Sequence, residues 1–101
     1  MKILVLGAGG VGGYFGARLA QAGCEVSFLV RSRRAEWIRS NGLQVASPHG
    51  DFTVQPRLLQ AGDDLSGHDL VMLTCKAYDL DSALEAIAPA MSGQTALLPL
   101  L

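Results

Sequence analysis

Val5-Leu6-Gly7-Ala8-Gly9-Gly10-Val11-Gly12-Gly13-Tyr14-Phe15-Gly16 decides the fold, because an apolar run breaks into glycines there and resumes with helical periodicity. Gly7, Gly9 and Gly12 stand at G-x-G-x-x-G spacing directly after the strand-like Met1-Lys2-Ile3-Leu4-Val5-Leu6. The motif acquires meaning only in that order of strand, turn and helix. Gly7 lets the chain leave the strand in a tight turn, Gly9 lets the backbone approach a pyrophosphate, and Gly12 lets helix and strand pack closely. Free N–H groups at the helix start, with the positive end of its dipole, attract phosphate oxygens without a lysine. The rival phosphate motif, G-x-x-x-x-G-K-[ST], fails because Gly12 is followed by Gly13 and Tyr14, which disfavours Mg-nucleotide hydrolysis. A dinucleotide is the better ligand, with a ligand-free glycine turn as the plain alternative.

Working outward, Val11, Tyr14, Phe15, Leu19 and Ala22 are spaced for one buried helix face from about Gly10 to Ala22, and Gly23 falls where a helix C-terminal cap belongs. Glu25-Val26-Ser27-Phe28-Leu29-Val30 reads as a buried parallel strand beside the first, completing a βαβ unit. A dinucleotide fold presents the residue after this strand to the adenosine ribose, where a carboxylate suits the 2′-hydroxyl of NAD. Here the residue is Arg31, 19 positions after Gly12, followed by Ser32, Arg33 and Arg34. A guanidinium binds a 2′-phosphate through paired charge-assisted hydrogen bonds, so NADP is favoured; the simpler role of these arginines is to solvate a helix start.

Ala35 to Ser40 continue that helix until Asn41-Gly42, with Trp37 and Ile38 expected in the core. Leu43–Ala46 and Asp51–Val54 read as a peripheral hairpin, whereas Arg57-Leu58-Leu59 is too short to classify. Leu70–Thr74 is a third strong strand, and Lys76 just beyond it lies at the same sheet edge as the glycine loop, either as a functional group or as a surface lysine. Ser82 and Glu85 fit a capping box, and Leu80, Leu84, Ile87 and Met91 form a stripe of helical spacing. A last apolar strand begins near Thr95 and runs to Leu101. Its exposure at a sheet edge favours a chain cut there, or self-association through this strand, over a complete monomer. The expected fold is α/β, a doubly wound, mainly parallel sheet in a single incomplete dinucleotide-binding domain over residues 1–101.

Half of the 101 residues are apolar, 17% are charged and the net charge is −1, which argues against a disordered segment or a polyanion-binding module such as a nucleic-acid binder. Apolar runs are far shorter than a membrane span and the chain opens straight into strand, which reads as cytoplasmic. Cys24 and Cys75 lack any framework spacing and read as free thiols, and His49 and His68 stand alone in turn-rich sequence, so no metal site is expected.

Together the glycine stretch, Arg31, Thr74-Cys75-Lys76-Ala77-Tyr78 and Leu97-Leu98-Pro99-Leu100-Leu101 resemble the N-terminal part of the ketopantoate reductases (2-dehydropantoate 2-reductases). The lysine-alanine-aromatic segment is the most specific of these. The resemblance implies a Rossmann-like NADPH-binding domain followed by a helical domain, in an enzyme that reduces ketopantoate to pantoate on the route to pantothenate and coenzyme A. It assigns Gly7, Ala8, Gly9, Gly10, Val11 and Gly12 to the pyrophosphate, Arg31 to the 2′-phosphate and Lys76 to the cofactor at the active-site edge. Asp79 departs from the glutamine frequent there and receives no role. The family's asparagine-glycine motif would follow Leu101, and its catalytic lysine and glutamate belong to the helical domain, which leaves no catalytic residue within residues 1–101. The alternatives are an NADPH-linked reductase of another 2-keto acid, a dinucleotide-sensing regulatory domain or an inactive remnant. Residues 1–101 alone are expected to give no turnover, and ketopantoate-dependent NADPH oxidation by the purified chain would overturn that expectation.

Overall fold

The computed structural model describes residues 1–7, 10–74 and 80–100, with the backbone alone at 10 and 11. In chain order the elements are β1 (Lys2–Leu6), α1 (Gly10–Gln21), β2 (Glu25–Leu29), α2 (Ser32–Asn41), β3 (Leu43–Val45), β4 (Phe52–Val54) and β5 (Arg57–Leu59). They continue with β6 (Leu70–Leu73), α3 (Leu80–Ile87), a 3-10 turn over Ala88–Ala90 and β7 (Ala96–Pro99). Five strands form one sheet in the order β5-β2-β1-β6-β7, with every neighbouring pair parallel. β3 and β4 form a separate antiparallel hairpin.

The near-continuous apolar runs of β1, β2 and β6 follow from burial on both faces, which is the usual state of parallel strands covered by crossover segments. Side chains alternate between two cores. Ile3, Val5, Val26, Phe28 and Met72 point to the face covered by α1, α2 and the hairpin, where Ala17, Ala35, Ile38, Leu43 and Val45 meet them. Leu4, Leu29, Val71 and Leu73 point to the opposite face, covered by Ala83 and Ile87 of α3, by Ala90 and by Leu65. The sheet is therefore doubly wound, a Rossmann-like α/β fold.

α1 departs from the expected packing in an instructive way. Phe15 is 46% exposed and Ala22 is exposed, while Gly12, Gly13, Gly16 and Ala17 are buried. The helix meets the sheet through its small residues, because a β-carbon at Gly16 would lie 2.5 Å from Cζ of Phe28. Phe28 fills the space that larger helix side chains would take. α1 ends as anticipated: Cys24 N–H donates to Leu19 O and Gly23 N–H to Ala20 O at 3.1 Å each, the paired bonds of a Schellman cap, with Gly23 at φ 97°.

Other expectations need correction. Arg57–Leu59 is a true strand, paired in parallel with Ser27, Phe28 and Leu29, and it extends the sheet beyond β2. Trp37 is 44% exposed with the Arg34 guanidinium 5.2 Å from its ring centroid, so Ile38 alone of that pair is core. Ser82 lies inside α3, which begins at Leu80, and so is not its cap. The buried positions of α3 are Ala83 and Ile87, with Leu84 turned outward. The strand near Thr95 is present as β7, with Leu97 and Leu98 exposed.

Between β5 and β6 a loop takes the place of a helix and inserts Leu65, 3% exposed, into the second core. The Asp64 carboxylate accepts from the Ser66 hydroxyl at 2.6 Å and the Ser66 N–H at 3.0 Å, closing the turn after Leu65. These two bonds hold Asp64 below its ordinary pKa, so the turn is supported above the carboxylate's unfolded pKa and loses that support as pH falls through the depressed folded value. His68 is also tied in, with Nδ1 donating to Leu65 O at 2.9 Å, and is more than a solvated loop residue.

The Gly16–Phe28 contact yields a direct check. Gly16→Ala is expected to destabilise the protein by about 1–3 kcal/mol through overpacking, despite alanine's better helix propensity, as measured by urea denaturation. A neutral or stabilising result would show that α1 does not depend on this approach.

Candidate dinucleotide site

The site is assembled where the strand order reverses. β1 has β2 on one side and β6 on the other, so the crevice beyond its carboxyl end is the topological switch point of the sheet. β1 ends at Leu6, the backbone turns at Gly7 with φ 90°, and α1 starts at Gly10. A positive φ of that kind is readily adopted by glycine. The first turn of α1 therefore faces the crevice with backbone N–H groups that the helix itself leaves unpaired.

Gly12 makes this approach sterically feasible. A β-carbon built there would collide with the Thr74 hydroxyl and lie 3.3 Å from Thr74 Cβ and 3.4 Å from Val5 Cγ1. Thr74 follows β6 directly, and its hydroxyl donates to the carbonyl of Leu6 at 2.8 Å. Gly7 N–H donates to Leu29 O at 3.0 Å. The ends of β1, β2 and β6 are thus bound to one another directly beneath the glycine turn.

Arg31 stands at the same sheet edge, immediately beyond β2. It is the N-cap of α2, with φ −79° and ψ 160°, and its side chain makes no capping hydrogen bond. The guanidinium is exposed and has no hydrogen bond or ion pair among the described residues. The neighbouring Ser32 hydroxyl donates to Oε1 of Gln60 at 2.9 Å, linking the start of α2 to the end of β5. Val30 N–H donates to Leu59 O at 2.9 Å, carrying the β2–β5 pairing to the same edge.

Of the residues expected from sequence, Gly7, Gly12 and Arg31 are brought to this edge, and the backbone of Gly10 and Val11 forms the start of α1. Ala8, Gly9 and Lys76 lie outside the described residues, as do Cys75 and Asp79. Sequence reasoning missed Thr74 and Gln60. A hydroxyl at the end of the strand that faces a G-x-G-x-x-G helix is a usable signal for the first; Gln60 has none, because the strand before it was itself unrecognised.

Residues 3–101 match the family model described as ketopantoate reductase PanE/ApbA. The chain belongs to this family. It is 43% identical over its full length to the uncharacterized oxidoreductase YkpB of Bacillus subtilis, covering 33% of that protein. It is 36% identical over 94% of its length to the 2-dehydropantoate 2-reductase of Mesorhizobium japonicum, covering 29% of it. The chain thus spans about a third of the length of these relatives. Among solved structures, the 2-dehydropantoate 2-reductase of Geobacter metallireducens superposes with a TM-score of 0.88 at 37% identity, over 99% of this chain and 33% of that one. D-mandelate dehydrogenase with NADH and anilino(oxo)acetate superposes equally well, with a TM-score of 0.88 at 29% identity over 100% and 33% of the two chains. No helix among the described residues is long and apolar enough to cross a membrane.

Gly12→Ala is expected to weaken dinucleotide binding about tenfold or more, by pushing the start of α1 off Thr74, with part of the loss recovered in Gly12→Ala/Thr74→Ala. Titration calorimetry on the three proteins checks this, and unchanged binding in Gly12→Ala would show that the close approach is not required.

Proposed function

We propose that this chain is the NADPH-binding domain of a 2-dehydropantoate 2-reductase, an enzyme that reduces ketopantoate to pantoate in pantothenate biosynthesis in the cytoplasm. The observation that carries the reading is the pairing of two features at one sheet edge. The start of α1 approaches the switch point with no side chain at Gly12, and an exposed guanidinium at Arg31 stands beyond the next strand. The residues present fit a dinucleotide. Backbone N–H groups beyond Gly7, up to Gly12, hold the pyrophosphate oxygens, while Gly7, whose own N–H is donated to Leu29 O, makes the turn that keeps the helix end open toward them. Arg31 takes the adenosine 2′-phosphate, for which its planar fork of donors is matched. Lys76, on the segment after β6, serves the cofactor at the edge where substrate meets it. Bound NADPH supplies the hydride for a 2-keto carbon.

The likeness to D-mandelate dehydrogenase favours one second reading, a reductase of another 2-keto acid on the same domain. Substrate tests on the whole protein separate the two.

Arg31→Asp decides the cofactor. It is expected to lower affinity for NADPH about tenfold or more while leaving NADH affinity level or higher, because the carboxylate repels the 2′-phosphate and accepts from a 2′-hydroxyl. Fluorescence titration with both nucleotides reads this, and an unchanged NADPH to NADH ratio would remove Arg31 from the site.

A further inference from the structure

We infer that Gln60 sets the hydrogen-bonding state of Ser32, and that Ser32, so set, reads the 2′ substituent of the dinucleotide's adenosine. The inference rests on the dinucleotide reading above and goes beyond it, since that reading gives neither residue a role.

Ser32 is the next residue after Arg31 and is exposed at the first position of α2. Its hydroxyl carries one proton, which is donated to Gln60 Oε1 at 2.9 Å. In that arrangement the Ser32 oxygen has only lone pairs left to offer. Lone pairs accept from a ribose 2′-hydroxyl, but a 2′-phosphate, itself an acceptor, has nothing to gain from them.

Gln60 has a second arrangement available at low cost. A half-turn of its terminal amide exchanges oxygen and nitrogen, which are nearly equal in size. Nε2 then donates to the Ser32 oxygen, and the serine proton is free to point at a 2′-phosphate. The backbone need not move, because Gln60 is held independently. Its N–H donates to Asp63 Oδ2 at 2.7 Å, and the preceding Leu59 O accepts from Val30 N–H. Gln60 is therefore a positioning residue that lets one pocket present a donor or an acceptor beside Arg31. Glutamate, which only accepts, would lock the serine proton away from a phosphate.

The test compares NADPH and NADH affinities of the protein, Ser32→Ala, Gln60→Glu and the double variant. Gln60→Glu is expected to lower the NADPH to NADH affinity ratio about tenfold, the worth of one hydrogen bond to a charged group. In the Ser32→Ala background the same change is expected to move the ratio much less, because the added charge acts without the serine proton. Gln60→Met, which neither donates nor accepts, leaves the proton free and is expected to keep the ratio close to that of the parent. An equal effect of Gln60→Glu with and without Ser32 would assign it to charge alone and overturn the inference. A Gln60→Glu ratio unchanged from the parent would do so as well, leaving the dinucleotide reading intact. A parent protein that binds neither nucleotide would overturn that reading and this inference with it.

Discussion

The close approach of α1 to the sheet is the constraint on which the rest depends. Gly12 lies against Thr74 and Val5, and Gly16 against Phe28 and Val5, so the helix axis is set by contacts that no larger residue permits. The approach carries a local cost. Gly10, Gly12, Gly13 and Gly16 all fall within α1, and a glycine in the helix interior, such as Gly16, is about 1 kcal/mol poorer than alanine. A helix so composed draws its stability from packing on the sheet and not from its own propensity. The element that forms the site is therefore held in place by the sheet beneath it, and a ligand bound at its N-terminus adds directly to its stability.

The carboxyl edge of the sheet is organised to keep that site open. Gly7 N–H bonds Leu29 O, the Thr74 hydroxyl bonds Leu6 O, Val30 N–H bonds Leu59 O and Leu100 N–H bonds Leu73 O. Each strand end thus passes one of its polar groups to a neighbour. Backbone groups that would otherwise compete for a ligand's phosphates, or draw water into the crevice, are satisfied laterally. Among the described residues, the start of α1 and the exposed Arg31 are left facing outward at this edge.

How much of this was legible in the sequence follows from how local each cause is. Gly23 and the strands β1, β2 and β6 are written in contiguous residues and were read correctly, and the glycine register placed a helix after β1 and Arg31 just beyond β2, where the structure has them. β5 was not, since three residues carry no usable period and its identity as a strand comes from pairing with Ser27, Phe28 and Leu29. On the expected face of α1, Tyr14 and Leu19 do pack against the core, but Phe15 and Ala22 were misjudged, for a different reason. Periodicity counts large apolar residues as the inward face, but where backbones approach closely the small residues go inward and Phe15 is turned out, edge-on to Tyr14. Trp37 was misplaced similarly, as its ring finds the Arg34 guanidinium instead of the core. Thr74 and Gln60 were missed because their partners, Leu6 and Ser32, lie 68 and 28 positions away.

The same distinction between backbone and side chain bears on cofactor choice. The backbone resembles an NADH-bound dehydrogenase as closely as it resembles a 2-dehydropantoate 2-reductase, so on the dinucleotide reading the fold by itself does not choose the 2′ end. Discrimination must then reside in the few side chains just beyond β2 and β5. A phosphate differs from a hydroxyl there by charge and by the loss of a donor, and a guanidinium answers the first difference but not the second. A polar partner whose donor and acceptor can exchange answers the second, and the Ser32–Gln60 pair is the one hydrogen-bonded pair of side chains that joins the ends of these two strands among the described residues. On the inference drawn above, preference between cofactors would be separable from the glycine cradle, because the Ser32–Gln60 pair takes no part in the contacts that hold α1 to the sheet.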